Sequence, residues 1–162
     1  MSRIAVIDDE PLICEFVDDF LSDGGAEVHC ATTATLGALM LADGKFDLAL
    51  IDVFLPDASG FALAELAANQ NTAVLLMSGH PDATMRLNAF NLPSLRKPFD
   101  LLTLSTAAAR EIAASSENIE RVKIGVARLG ENIEGLSNAM AFSKTMIERS
   151  REILTKAVRQ KP

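Results

Sequence analysis

Asp8-Asp9, Asp52, Ser78 and Lys97-Pro98 are the residues of this chain whose types and spacing could act together chemically. The two adjacent acids end the first apolar run, and Asp52 ends a later one. Ser78 follows the run at residues 74–77, and Lys97 lies near the end of the last. In an open parallel sheet the carboxyl ends of the strands share one edge, and ligands bind along it. Such an edge would gather three carboxylates and one ammonium, a set suited to a hard divalent cation and a phosphoryl group. A carboxylate is a poor nucleophile toward an anionic donor. The cation's charge and the lysine's would both be needed to bring the two together.

The intervening pattern supplies the elements that must position these groups. Residues 4–7, 26–31, 46–51 and 74–77 are short apolar runs of buried-strand length. Residues 92–96 make a poor strand because Pro93 has no amide donor, and they are assigned one because the alternation requires it. Pro11 opens the first helix, where proline is tolerated. Leu12, Ile13, Phe16, Val17, Phe20 and Leu21 follow at helical spacing, and Gly24-Gly25 ends the repeat. Thr32 or Thr33, then Ser59, Asp82 and Asp100, are candidate caps for the later helices. Strands alternating with helices predict an α/β fold, a doubly wound five-stranded parallel sheet covered on both faces.

Charge divides the chain. Residues 1–109 hold 15 acids and 5 bases, residues 110–162 hold 7 acids and 10 bases, and the net charge is -7. An acidic front half argues against direct contact with nucleic acid, and the tail lacks a convincing helix-turn-helix. No uninterrupted apolar run approaches the roughly 20 residues that span a bilayer, and the start has no signal-peptide core. Cys14 and Cys30 show no metal spacing and read as reduced core thiols. These features predict a cytoplasmic protein without membrane insertion. No G-x-x-x-x-G-K-[ST] loop is present, which argues against a nucleotide hydrolase.

The tail from about residue 105 has a different rhythm. Ile112, Ile119, Val126, Ile133, Met140, Ile147 and Leu154 share one heptad position, and Val122, Leu129 and Leu136 share another. One continuous helix from 101 to about 158 fits this spacing. Gly125, Gly130 and Gly135 each cost about 1 kcal/mol in a helix interior and fit a break and a hairpin instead. The seam should pack against itself, a second subunit or the rest of the chain. The expected organisation is a domain at 1–116 and a helical extension, coiled coil or hairpin, at 117–162.

Taken in order, Asp8-Asp9, Asp52, the Asp52-x-x-x-Pro56-x-x-x-Gly60 loop, Ser78 and Lys97-Pro98 resemble the receiver domain of bacterial two-component response regulators, the CheY-like family. The resemblance covers roughly residues 2–116. It implies a flavodoxin-like sheet in the order 2-1-3-4-5. It implies Asp52 as phosphoacceptor, and Mg²⁺ held by Asp9 directly, Asp8 through water, Asp52 and the Phe54 backbone carbonyl. Ser78 would hydrogen-bond a phosphoryl oxygen, Lys97 would pair with the phosphoryl group or Asp52, and the Lys97–Pro98 peptide would be cis. The implied donor is a sensor histidine kinase or phosphotransfer protein. Output would run through protein–protein interaction or dimerisation, with a homodimer through the C-terminal helices as one form.

Two departures bear on that expectation. Ser94 stands where receivers usually carry a switch aromatic, so the usual coupling cannot operate in its familiar form. Phe54, two residues past Asp52, is large and apolar, and would shield the phosphoryl group from water. His29 and His80 are not assigned catalytic roles. The alternatives are a constitutive dimerisation scaffold with a silent receiver, or a Mg²⁺-dependent phosphatase on a similar sheet. The second lacks an additional acid–base residue beside Asp52, so the expectation is a phosphorylatable protein and not a turnover enzyme.

Overall fold

The computed structural model describes residues 1–132. In chain order they form β1 (Arg3–Ile7), α1 (Pro11–Asp23), β2 (Glu27–Ala31), α2 (Ala34–Asp43), β3 (Leu48–Asp52), α3 (Gly60–Asn69), β4 (Ala73–Ser78), α4 (Pro81–Ala89), β5 (Ser94–Arg96), α5 (Leu101–Ala113) and α6 (Ser115–Asn132). The sheet runs β2-β1-β3-β4-β5. Every pairing is parallel, as the sequence alternation predicts. This is the doubly wound, flavodoxin-like arrangement.

Local chemistry sets the ends of the helices. Pro11 starts α1, and Gly25 leaves it in the left-handed region at φ 86°. Of the two threonines before α2, Thr33 is the cap, accepting from the Leu36 amide at 3.2 Å. Ser59 caps α3 and Asp100 caps α5. Asp82 is not the cap of α4. His80 holds that position and Pro81 begins the helix, which leaves Asp82 within the first turn. A proline fits the first helical position, and here it sets the start two residues too early for Asp82 to cap.

Side chains alternate across each strand and build two cores. On one face Val6, Leu48, Leu50, Leu75 and Met77 meet Cys14 and Val17 of α1 and Leu104 and Ala108 of α5. On the other, Ala5, Ile7, Ala49, Ile51, Val74 and Leu76 meet α2, α3 and α6. Cys14 is buried as expected, but Cys30 is exposed, because β2 is an edge strand.

The tail does not continue α5. Ala114 leaves the helix at φ -101°, ψ 30°, and α6 passes to the opposite face of the sheet. There Val122, Val126 and Leu129 are fully buried, with Ile119 packed beside them. The first part of the heptad seam therefore packs on the chain's own β4 and α3. Gly125 and Gly130 do not interrupt the helix. A Cβ at Gly125 would lie 2.6 Å from Leu92 Cδ2 and 3.0 Å from the Phe90 carbonyl oxygen, so glycine permits this close approach. Gly135 and the seam from Ile133 onward lie outside the described residues, as does the choice between long helix and hairpin.

β5 is only three residues long and pairs only with Leu76, Met77 and Ser78. Val74, further back on β4, pairs with Ala49 of β3 on one side and among the described residues has no strand beside it on the β5 side. Asn118 of α6 takes that place. Its Oδ1 accepts from the Val74 amide and its Nδ2 donates to the Val74 carbonyl, each at 2.7 Å. Asn118 is completely buried, as is nearly all of Glu111, whose carboxylate accepts from Asn118 and from Arg110 and Arg121.

Candidate functional site

Each site residue sits where its strand runs out. Asp8 follows β1, and its amide prolongs the ladder by donating to the Ala31 carbonyl at 3.0 Å. Asp52 closes β3 and Ser78 closes β4. Lys97 follows β5, and its amide donates to the Ser78 carbonyl at 2.9 Å. The Lys97–Pro98 peptide is cis.

The lysine ammonium organises the acids. Lys97 Nζ lies 2.6 Å from Asp8 Oδ2, 2.5 Å from Asp52 Oδ2 and 3.4 Å from Glu10 Oε1. Burial pushes the Asp8 carboxyl above its ordinary value of 3.8, although Lys97 and the Glu10 amide pull it down. Burial acts against the Lys97 charge, but pairing with Asp52 and Asp8 outweighs it, so the ammonium holds its proton more tightly than usual.

The loop after β3 frames the phosphoacceptor candidate. The Phe54 amide donates to Asp52 Oδ1 at 2.8 Å, which sets its peptide beside the carboxylate. A Cβ at Gly60 would run into the Asp52 carbonyl oxygen, so only glycine allows the loop to fold back there. Asp57 ties the loop to α2, accepting from the amides of Ala34 and Thr35 and from the Thr35 hydroxyl at 2.6–2.9 Å. Phe54 is 58% exposed, and its ring meets His80 edge-on at 5.9 Å. Ser78 is buried. Its Oγ accepts from the His80 amide at 3.2 Å, which leaves the hydroxyl proton free to be donated.

The carboxylates gathered at the site are Asp8, Glu10 and Asp52, with ligand atoms within 4.8 Å of one another. Asp9 is exposed and lies outside that group. Asp8 Oδ2 is buried and, apart from its ion pair with Lys97, has no aligned hydrogen-bond partner among the described residues. Hard oxygen donors with one buried oxygen underused fit a small divalent cation. Glu10 is the residue that reading the strand ends misses, because it belongs to the turn into α1. His29 is away from this edge, bonded to Glu27 and close to Arg3.

Residues 4–109 match the response regulator receiver domain family. The chain belongs to that family. It is 32% identical over 114 residues to the transcriptional regulatory protein CrdR of Helicobacter pylori, covering 67% of this chain and 54% of that protein. It is 28% identical over 123 residues to the regulatory protein AtoC of Escherichia coli, covering 72% of this chain and 26% of that one. The chain thus spans about half or less of these curated relatives. Among solved structures it is similar to a CheY-like receiver domain protein from Methanospirillum hungatei, with a TM-score of 0.64 and 26% identity. That match covers 72% of this chain and 98% of the other. A receiver domain from Clostridium thermocellum gives 0.63 and 27%, with the same coverage of each chain. Among the described residues no helix is long and apolar enough to cross a membrane.

Proposed function

We propose that this protein is a phosphorylation-dependent signalling protein that accepts a phosphoryl group on Asp52. The observation that carries the reading is the Lys97 ammonium between the carboxylates of Asp8 and Asp52, at the edge where β1, β3, β4 and β5 end. An Asp52 carboxylate oxygen attacks the donor's phosphorus. The bond from phosphorus to the donor breaks, and the donor leaves with the electron pair. Lys97 meets the charge on the transferred oxygens, and the Ser78 hydroxyl donates to one of them. Such transfer is chiefly a matter of positioning and electrostatic stabilisation, which these residues can supply.

Asp8, Asp52 and Glu10 or Asp9 would hold Mg²⁺ with the Phe54 carbonyl. The ion would supply charge neutralisation between the carboxylate and the phosphoryl group. The donor is a histidine kinase or phosphotransfer protein, which places the reaction in the cytoplasm. The chain stores the phosphoryl group on itself instead of turning over an external substrate. Output runs through protein contacts. A homodimer through the tail would use residues beyond 132, since the earlier seam is buried against the chain's own α3 and β4.

Intact-mass spectrometry tests the reading after incubation with acetyl phosphate, with and without Mg²⁺. One Mg²⁺-dependent phosphoryl adduct, absent from Asp52→Asn, is expected. An adduct that persists in Asp52→Asn would remove Asp52 from its role.

A further inference from the structure

We propose that α6 is a positioning element of the phosphoacceptor site, clamping β4 through Asn118 and the α4–β5 turn through Gly125, so that α6 docking and the charging of Asp52 favour each other. The proposal rests on Asp52 being the phosphoacceptor.

Two strands bring Ser78 and Lys97 to the site, and α6 holds the approach to both. Asn118 supplies β4 with the donor and acceptor that a longer β5 would have given Val74, upstream of Ser78 on the same strand. Gly125 lies against Leu92 and the Phe90 carbonyl, in the turn that leads into β5 and then Lys97. That turn is otherwise held by a few local bonds, among them the Leu92 amide to the Leu87 carbonyl at 2.9 Å. Asn91 within it adopts φ 53°, the left-handed conformation in which asparagine commonly ends a helix. The segment beyond Lys97 is tied to the same helix, because Glu111 near the end of α5 bonds to Asn118 and Arg121 of α6.

Charging Asp52 changes what Lys97 faces. Its ammonium now pairs with Asp52 Oδ2, and a phosphoryl group would draw it to new oxygens. Lys97 and Ser78 settle on those oxygens from where β5 and β4 place them, and α6 adds to the hold that β3 already has on β4. A helix that favours the charged site must in turn be favoured by it, since coupling between sites is reciprocal.

Hydrogen exchange on the full chain tests this, with Mg²⁺ alone and with Mg²⁺ plus beryllofluoride as a phosphoryl mimic. Amides of residues 116–132 should exchange about fivefold more slowly when the mimic is bound. Conversely, Asn118→Leu and Gly125→Ala should weaken beryllofluoride binding about fivefold or more, at temperatures where circular dichroism shows both variants folded. A helix with a purely structural role would lower Tm and leave that affinity alone. Mimic binding with unchanged or faster α6 exchange would overturn this proposal and leave the phosphoacceptor reading standing. Failure of the mimic to bind at all would remove the phosphoacceptor reading and this one together.

Discussion

Asp57 shows how much one side chain outside the reacting set can contribute. Partial burial pushes its carboxyl up, but bonds from the Thr35 hydroxyl and from the Thr35 and Ala34 amides outweigh that and hold it below its ordinary 3.8. A group with a lowered folded pKa adds stability above its unfolded value and loses it as pH falls through the folded one. Asp57→Asn should therefore be less stable by about 1 kcal/mol near pH 7. The gap from the parent should close as pH falls below 3.8, where the parent's carboxylate takes up its proton. Urea titrations across that range check this, and a gap that stays constant would show that charge has no part in the tie to α2. Asp57 sits between Asp52 and Gly60 in the loop that frames the site. Its bonds to α2 also limit how far that loop can move.

At the level of elements, what could be read from sequence follows a physical division. Asp8, Asp52, Ser78 and Lys97 were legible because each ends an apolar run, and the topology of a parallel sheet fixes where such ends go. Glu10 was not, since nothing in its spacing tells a turn residue facing the pocket from one facing water. The stripe formed by Ile119, Val122, Val126 and Leu129 correctly gave a helix with one buried face. A stripe states that a face is apolar and not what covers it. The Ala-rich α3, with Ala64, Ala67 and Ala68 all at 0% exposure, offered the close-packing surface that α6 uses. Asn118 and Glu111 gave no sequence signal, because polar residues in a helix are ordinarily solvated. Their burial is decided by the turn at Ala114, a tertiary choice. The Glu111 carboxylate joins the α5–α6 corner by accepting from Arg110, Arg121 and Asn118. Glu111→Ala should cost about 2–3 kcal/mol, chiefly by leaving the buried Asn118 amide and the partly buried Arg121 without this acceptor. Glu111→Gln, which keeps an acceptor oxygen, should cost less. Chemical denaturation of both variants measures the difference, and equal losses would show that packing and not hydrogen bonding holds the corner.

For the molecule as a whole, the question is where the cooperative unit ends. The family match stops at residue 109, and α5 ends at Ala113. A chain cut there keeps every strand and every residue of the site. It would nevertheless expose Val74 and Leu76 of β4 and the small side chains of α3, which α6 now covers. Burying Val122, Val126 and Leu129 is worth about 1.5–3 kcal/mol each. Their sum, about 5 kcal/mol or more, rivals the 5–15 kcal/mol that holds a typical domain folded. The Val74 amide and carbonyl would also lose the Asn118 side chain, leaving an open sheet edge beside an apolar face. A chain ending at Ala113 should therefore unfold at much lower urea than one ending at Asn132, and should self-associate through the uncovered face. Urea midpoints and size-exclusion profiles of the two chains decide it. Matching midpoints and two monomers would mean that α6 rests on a domain already complete without it. A large fall in midpoint would make α6 part of the fold that holds Ser78 and Lys97 in place.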